Sequence, residues 1–155
     1  MLKQFDDSNT TVEEDDDNYE TDPKLFFRLI NMYSITPKLD ACATRENTKC
    51  SFFLNDALHQ EWTIGHKIVD VWCNPPGSLQ LKLIERADFQ HQRYGMNIIM
   101  IVPANCVSTE VWHRYIEDRR EYHAVKGRPV FLKNGKKTKF PSRNSYVCIV
   151  WRSKK

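Results

Sequence analysis

The feature that most constrains this chain is the stretch Ile68-Val69-Asp70-Val71-Trp72-Cys73-Asn74-Pro75-Pro76-Gly77-Ser78, in which a run rich in Val, Ile and Trp stops at two prolines. Proline has no N–H to give to a sheet ladder, so a strand entering this stretch must end at Cys73. Each proline also drives the residue before it into extended geometry. Asn74 and Pro75 are therefore held stretched, with Asn74 projecting from the carboxyl end of the strand. In an open α/β sheet, ligands bind outside the carboxyl ends of the strands. Pro-Pro-Gly by itself is also an ordinary strand-to-turn junction; the asparagine directly before it, closing an apolar strand, is what points to a site.

At 155 residues the chain suffices for one domain and one core. The formal charge of +3 conceals an asymmetry. Residues 1–22 carry nine acidic side chains and one lysine, whereas from Pro23 onward 22 basic side chains face 11 acidic ones, a balance of +11. That surplus favours a polyanionic partner through phosphate neutralisation. Residues 1–18, with Glu13-Glu14-Asp15-Asp16-Asp17, are too poor in apolar side chains to offset their ordering entropy and read as a disordered acidic tail ahead of a single domain at 19–155.

Cys42, Cys50, Cys73, Cys106 and Cys148 form no Cys-x-x-Cys pair, and three of them lie in apolar strand-like runs, so they read as reduced and mostly buried thiols. His59, His66, His91, His113 and His123 lack ligand spacing, and no metal is assigned. No apolar run of membrane-spanning length and no signal-peptide pattern is visible, so the expectation is an intracellular, cytoplasmic protein.

Along the chain, Thr21-Asp22-Pro23 announces a helix carrying Leu25, Phe26, Leu29, Ile30 and Tyr33 at helical spacing. Ile35 to Ala43 reads as a short strand ending in Asp40, followed by the small residues Ala41, Cys42 and Ala43, which permit close backbone approach by a nucleotide-like ligand. Ser51-Phe52-Phe53-Leu54 is a second short strand; Asp56 after it suits a ligand contact or a turn, the turn being the simpler reading. Ser78 is the expected cap of a helix reaching about His91, with Leu81, Leu83, Ile84 and Ala87 inward and Gly95 at its end. Asn97 to Pro103 is a near-continuous apolar run, the mark of a strand covered on both faces. Ser108 is the expected cap of a helix with Val111, Trp112, Tyr115 and Ile116 on one face. Strand-like pieces between Glu121 and Leu132, a turn at Asn134-Gly135 and a last strand at Ser145 to Trp151 complete the pattern. The alternation predicts an α/β fold.

With these motifs in order, the chain resembles the phage-type DNA N6-adenine methyltransferase (Dam) family from about Tyr19 to Trp151. Tyr19-Glu20-Thr21 with Pro23 and Leu25-Phe26 is similar to the family's opening aromatic, Thr-Pro and Leu-Phe segment. Leu39-Asp40-Ala41-Cys42-Ala43 resembles its first cofactor motif, Asp56-Ala57-Leu58 with Trp62 its next block, and Asn74-Pro75-Pro76 its catalytic Asn-Pro-Pro-Tyr. Val102-Pro103-Ala104, Ser108-Thr109 and Trp112 resemble the segment after it, and Gly127-Arg128-Pro129-Val130-Phe131 and Ile149-Val150-Trp151 its end.

The resemblance implies a Rossmann-like methyltransferase fold: a mostly parallel sheet with a C-terminal antiparallel hairpin and helices on both faces. It also implies S-adenosylmethionine as cofactor and DNA as partner, RNA remaining open, and a monomer or homodimer. The implied catalytic residues are Asn74, Pro75, Pro76 and Gly77, and the implied cofactor contacts are Thr21, Pro23, Asp40, Ala41, Cys42 and Asp56. Phosphates would meet the basic segment Lys126, Arg128, Lys133, Lys136, Lys137, Lys139 and Arg143, whose other reading is a solvated charged hairpin.

Two departures stand out. Gly77 occupies the place of the aromatic that stacks on a flipped base, and Asp22 lengthens the opening motif by one residue. Gly77 leaves three readings: another aromatic fills the gap, the base is smaller or held differently, or catalysis has decayed while binding persists. A methyltransferase acting on RNA or on a protein amide is a further alternative.

Overall fold

The computed structural model describes residues 20–127, 129, 131–133, 136–137 and 145–154. The acidic tail and the positions Arg128, Lys139 and Arg143 lie outside the described residues. In chain order the elements are β1 (Glu20–Thr21), α1 (Pro23–Tyr33), β2 (Leu39–Asp40), β3 (Phe52–Phe53), β4 (Val71–Cys73), α2 (Gln80–Tyr94), β5 (Ile98–Pro103), α3 (Glu110–Tyr115), β6 (Glu121–Ala124), β7 (Phe131–Lys133), β8 (Lys136–Lys137) and β9 (Tyr146–Trp151).

Six strands form a mostly parallel sheet in the order β3-β2-β4-β5-β9-β6. β3, β2, β4 and β5 run parallel, and β9 lies antiparallel between β5 and β6. A second, antiparallel sheet has the order β1-β7-β8. The antiparallel C-terminal part is thus divided: β9 completes the main sheet, while β7 and β8 pair in the small one.

Period-two alternation assigns the core to both faces of the main sheet. Val71, Cys73, Ile98, Met100, Val102, Ile149 and Trp151 pack on one side with Leu83, Ile84 and Ala87 of α2 and Trp112 of α3. Trp72, Ile99, Ile101, Cys148 and Val150 pack on the other with Leu25, Phe26, Leu29 and Tyr33 of α1. β5 is buried along its whole length, as its continuous apolar run requires of a strand covered on both faces.

The local signals act largely as their chemistry dictates. Asp22 is the cap of α1: its side chain accepts the Lys24 N–H at 3.0 Å, and Pro23 occupies the first turn, where a missing N–H costs nothing. Gly95 ends α2 at φ 81°, and its N–H bonds to the His91 carbonyl. Two caps are displaced. Ser78 lies within a 3-10 turn (Gly77–Leu79) closed by Leu79 N–H to Pro76 C=O at 2.9 Å, so α2 begins only after Leu79 and has no side-chain cap. Ser108 turns its hydroxyl back to the Asn105 carbonyl, and Thr109 caps α3 instead by accepting the Trp112 N–H at 3.2 Å. Leu81, in the first turn of α2, is exposed. The inward stripe runs on through Asp88 and His91, both buried.

Candidate active site

The prolines end β4 at Cys73 and carry Asn74 beyond the carboxyl edge of the sheet, beside the end of β2. A cavity of about 20 Å³ opens there, lined by Glu20, Thr21, Asp40, Cys42, Asn47, Lys49, Trp72 and Asn74. Three strands distant in sequence converge on it: β1 brings Glu20 and Thr21, β2 brings Asp40, and β4 brings Trp72 and the Asn74 that follows it.

Asn74 is half-buried, and its Nδ2 donates to Thr21 Oγ1 at 2.9 Å. With Nδ2 engaged by Thr21, Oδ1 remains as the acceptor end of the amide. Thr21 is held in turn by pairing with Phe131 of β7. Because Asp22 is consumed as a helix cap, the extra residue of the opening segment leaves Thr21 on the strand and on Asn74.

Asp40 is 3% exposed. Its Oδ1 accepts the Cys42 N–H at 3.3 Å and its Oδ2 the Lys49 N–H at 2.9 Å, folding the loop between β2 and β3 back over the strand end. Burial pushes this carboxyl up to about 7, against the opposing pull of the two N–H donors and the Lys49 charge. A group whose folded pKa lies above its unfolded value lends stability that is full below pH 4 and is lost as the pH rises through 7. The expected outcome is a carboxyl resonance of Asp40 titrating near pH 7 by NMR, with stability falling by about 3 kcal/mol from this group between pH 4 and 7.5; a midpoint near 4 would refute it.

Ala41 is fully buried and donates its N–H to the Trp72 carbonyl at 2.9 Å, tying β2 to β4 at the rim of the cavity. Cys42 faces the cavity as a neutral thiol, since burial and the nearby Asp40 push it up to about 12. Pro75 is buried, Pro76 half-buried and Gly77 exposed. Pro23 sits exposed at the start of α1 and is not among the lining residues.

Asp56 follows β3, exposed, with Oδ1 2.9 Å from the His59 ring, and does not line this cavity. Its segment is anchored from α2: Arg86 donates to the Ala57 and Gln60 carbonyls, and the buried Gln90 accepts the Trp62 N–H at 2.8 Å.

Of the basic positions, Lys126 is exposed before β7, Lys133 is half-buried at the end of β7, and Lys136 and Lys137 form β8. Among the described residues no group of three or more His, Cys, Asp or Glu is placed to hold a metal ion, and no helix is long and apolar enough to cross a membrane. The five cysteines are free thiols.

Glu20, Asn47, Lys49 and Trp72 line the cavity but were not singled out from the sequence. Trp72 reads as pure core because its ring does pack edge-on against Phe26, 4.9 Å between centroids. Lys49 gave only a faint signal, one of two cations, with Arg45, in the polar loop directly after the Asp40 motif.

No curated protein matches the chain. A family model described as DNA N-6-adenine-methyltransferase (Dam) matches residues 7–155, nearly the whole length, and with it every strand and helix that builds this site. The chain is a member of the DNA N-6-adenine-methyltransferase (Dam) family.

Proposed function

We propose that this protein transfers a methyl group from S-adenosylmethionine to the N6 amine of adenine in DNA. The observation that carries the reading is the convergence of Asn74, Thr21 and Asp40 on one polar cavity at the carboxyl edge of β2 and β4, in a chain of the Dam family. The residues around that cavity fit the cofactor. Ala41, Cys42 and Ala43 keep the end of β2 uncrowded, and the lining offers carboxylate, amide, hydroxyl and ammonium groups. Thr21, Asp40, Ala41 and Cys42, with Pro23 and Asp56 on its flanks, would hold S-adenosylmethionine, whose sulfonium supplies an electrophilic methyl group.

The chain's own task is orientation. An exocyclic adenine amine is a poor nucleophile because its lone pair is delocalised into the ring. Two acceptors, Asn74 Oδ1 and the Pro75 carbonyl, take the amine hydrogens and localise that pair toward the methyl group. Thr21 keeps the Asn74 amide from rotating, and Pro76 keeps the preceding carbonyl extended, so the acceptors are preorganised before substrate arrives. The base must leave the duplex to reach them, at a cost of a few kcal/mol. Lys126, Arg128, Lys133, Lys136, Lys137, Lys139 and Arg143 would hold the phosphates on either side.

The test is transfer of labelled methyl from S-adenosylmethionine to unmethylated DNA, followed by nucleoside analysis. Label in N6-methyladenine is expected; no label in DNA, RNA or protein overturns catalysis.

Gly77 favours a second reading, a member of this fold that binds nucleic acid without transferring methyl. The backbone bears on the choice. Among the described residues the glycines with positive φ are Gly65, Gly95 and Gly127, so the conformation at Gly77 does not require glycine. Gly77→Tyr is accordingly expected to fold and to tighten capture of the target base by about tenfold or more, the worth of one aromatic-base stack. The KM for DNA reports it. An unchanged KM would mean that another group already covers the base.

A further inference from the structure

The small sheet brings the two oppositely charged parts of the sequence together. β7 and β8 pair so that Lys133 lies directly across from Lys136, with Lys137 next to it opposite Leu132. Like charges at directly opposed positions repel, so the hairpin gains from an anion beside it. Lys133 has a further contact within the chain, and Lys126 stands exposed ahead of β7. On the other margin of β7, β1 pairs Glu20 with Leu132 and Thr21 with Phe131. That antiparallel register points the amino end of β1 toward Lys133, the end of β7 that leads into β8. Glu20 has its carboxylate 3.5 Å from Lys49 Nζ, among other contacts. More negative charge lies just ahead of it in the sequence. Residues 1–19 hold seven acidic side chains against one lysine, and five of the seven are consecutive, Glu13 to Asp17.

We propose that Glu13–Asp17 occupies the basic β7–β8 hairpin in place of a nucleic-acid strand, so that DNA binds by displacing the chain's own acidic segment. This rests on the phosphate role given above to the hairpin and adds its regulation. The charge spacing matches. An extended chain advances roughly 3.3–3.6 Å per residue, so consecutive carboxylates carry about one charge per 3.4 Å, the linear density of one DNA strand. The reach is sufficient as well. Two strand spacings, about 10 Å, separate the position of Glu20 from that of Lys137, and Asp17 to Glu13, three to seven residues before Glu20, span about 10–25 Å of extended chain. So short a tether gives the segment a local concentration on the order of millimolar, which offsets the weakness of any one exposed ion pair. Thr21 of β1 holds Asn74, so an anion lodged on this sheet stands beside the approach to that residue.

The test uses the full chain, a tail variant (Glu13→Gln/Glu14→Gln/Asp15→Asn/Asp16→Asn/Asp17→Asn), a hairpin variant (Lys133→Gln/Lys136→Gln/Lys137→Gln) and their combination, with a short DNA duplex as probe in fluorescence anisotropy. At 50 mM salt the tail variant is expected to bind DNA at least tenfold more tightly than wild type, with the advantage shrinking as salt rises to 200 mM. In the hairpin background the same tail substitutions should gain twofold or less, because there is no longer a basic hairpin to uncover. An equal gain in both backgrounds reports general repulsion between tail and DNA and overturns docking, as does a tail variant that binds DNA no better than wild type. Zero-length carbodiimide cross-linking with peptide mapping reads the contact directly: wild type should join a carboxylate of Glu13–Asp17 to Lys133, Lys136 or Lys137 within one chain, and excess duplex should abolish the link. A link to other lysines alone, or one between two copies, overturns the proposal. Hairpin substitutions that leave DNA affinity unchanged in the tail variant overturn the phosphate role beneath it, and the masking falls with that role.

Discussion

Asn74→Ala is expected to lower methyl transfer by about 10²–10³-fold, the scale seen when one preorganised polar partner of a reacting group is removed. Only the side-chain acceptor is lost; the Pro75 carbonyl and the cavity walls remain, so S-adenosylhomocysteine should bind within about twofold of wild type by the standard reading of a transition-state interaction. Single-turnover transfer on DNA, with calorimetry alongside, measures both. Thr21 adds an internal check. If its hydroxyl acts by fixing the Asn74 amide, Thr21→Val slows transfer in the wild-type background and does nothing further when Asn74 is already alanine. Equal effects in both backgrounds would separate Thr21 from Asn74 and leave it a cofactor contact alone. Transfer undiminished in Asn74→Ala would remove the catalytic assignment.

The largest effect on stability is expected at Asp88, far from this chemistry. Asp88 Oδ1 accepts from Arg120 Nε at 2.9 Å and from Trp151 Nε1 at 3.0 Å, and its other oxygen accepts from Gln92. Its side chain is 4% exposed and that of Arg120 17%. Asp88→Ala leaves the shielded guanidinium unpaired and the buried indole N–H without its acceptor, so a loss of about 3–5 kcal/mol is expected. Against a typical total of about 5–15 kcal/mol, that brings the protein close to unfolding at 37 °C. Urea denaturation measures the loss. Replacing both charges, Asp88→Leu with Arg120→Met, should recover the part due to the stranded charge, the Trp151 indole N–H remaining without its acceptor. A single variant as stable as wild type would show that Arg120 reaches solvent when released.

Asp88 also shows where sequence reading stops. Its place on α2, four residues after Ile84, lies on the inward stripe, yet an acidic residue there reads as the edge of the apolar face. Only the fold reveals that β9 and the Arg120 turn bring two donors onto it. Sequence signals did locate the elements whose chemistry is local. Two prolines stop β4, Asp22-Pro23 starts α1, Gly95 ends α2, and the unbroken apolar run of β5 announces burial on both faces. The caps at Ser78 and Ser108 each miss by one residue because 3-10 turns, which follow Pro76 and Pro103, take up the intervening residues. Asn74 and Asp40 were legible because each closes an apolar strand. The Glu20–Lys49 pair was not, since the partners are 29 positions apart and meet only through the register of β1 with β7 and the loop tied down by Asp40.

The position of β9 bears on how the protein is made. β5 pairs with it through six residues, Ile98 with Trp151 through Pro103 with Tyr146, and every residue of β5 is buried. While the ribosome is still adding residues 104–145, β2, β3, β4 and β5 are already available to pair, but β5 is then the open margin of that partial sheet, an apolar ribbon with unanswered backbone N–H and C=O groups. The chain is therefore prone to aggregation from the emergence of β5 until Tyr146–Trp151 has left the ribosome and paired with it, and holdase protection matters most in that interval. Such distant pairing also places the protein among slow folders, with closure of the central sheet coming only after translation has passed Trp151.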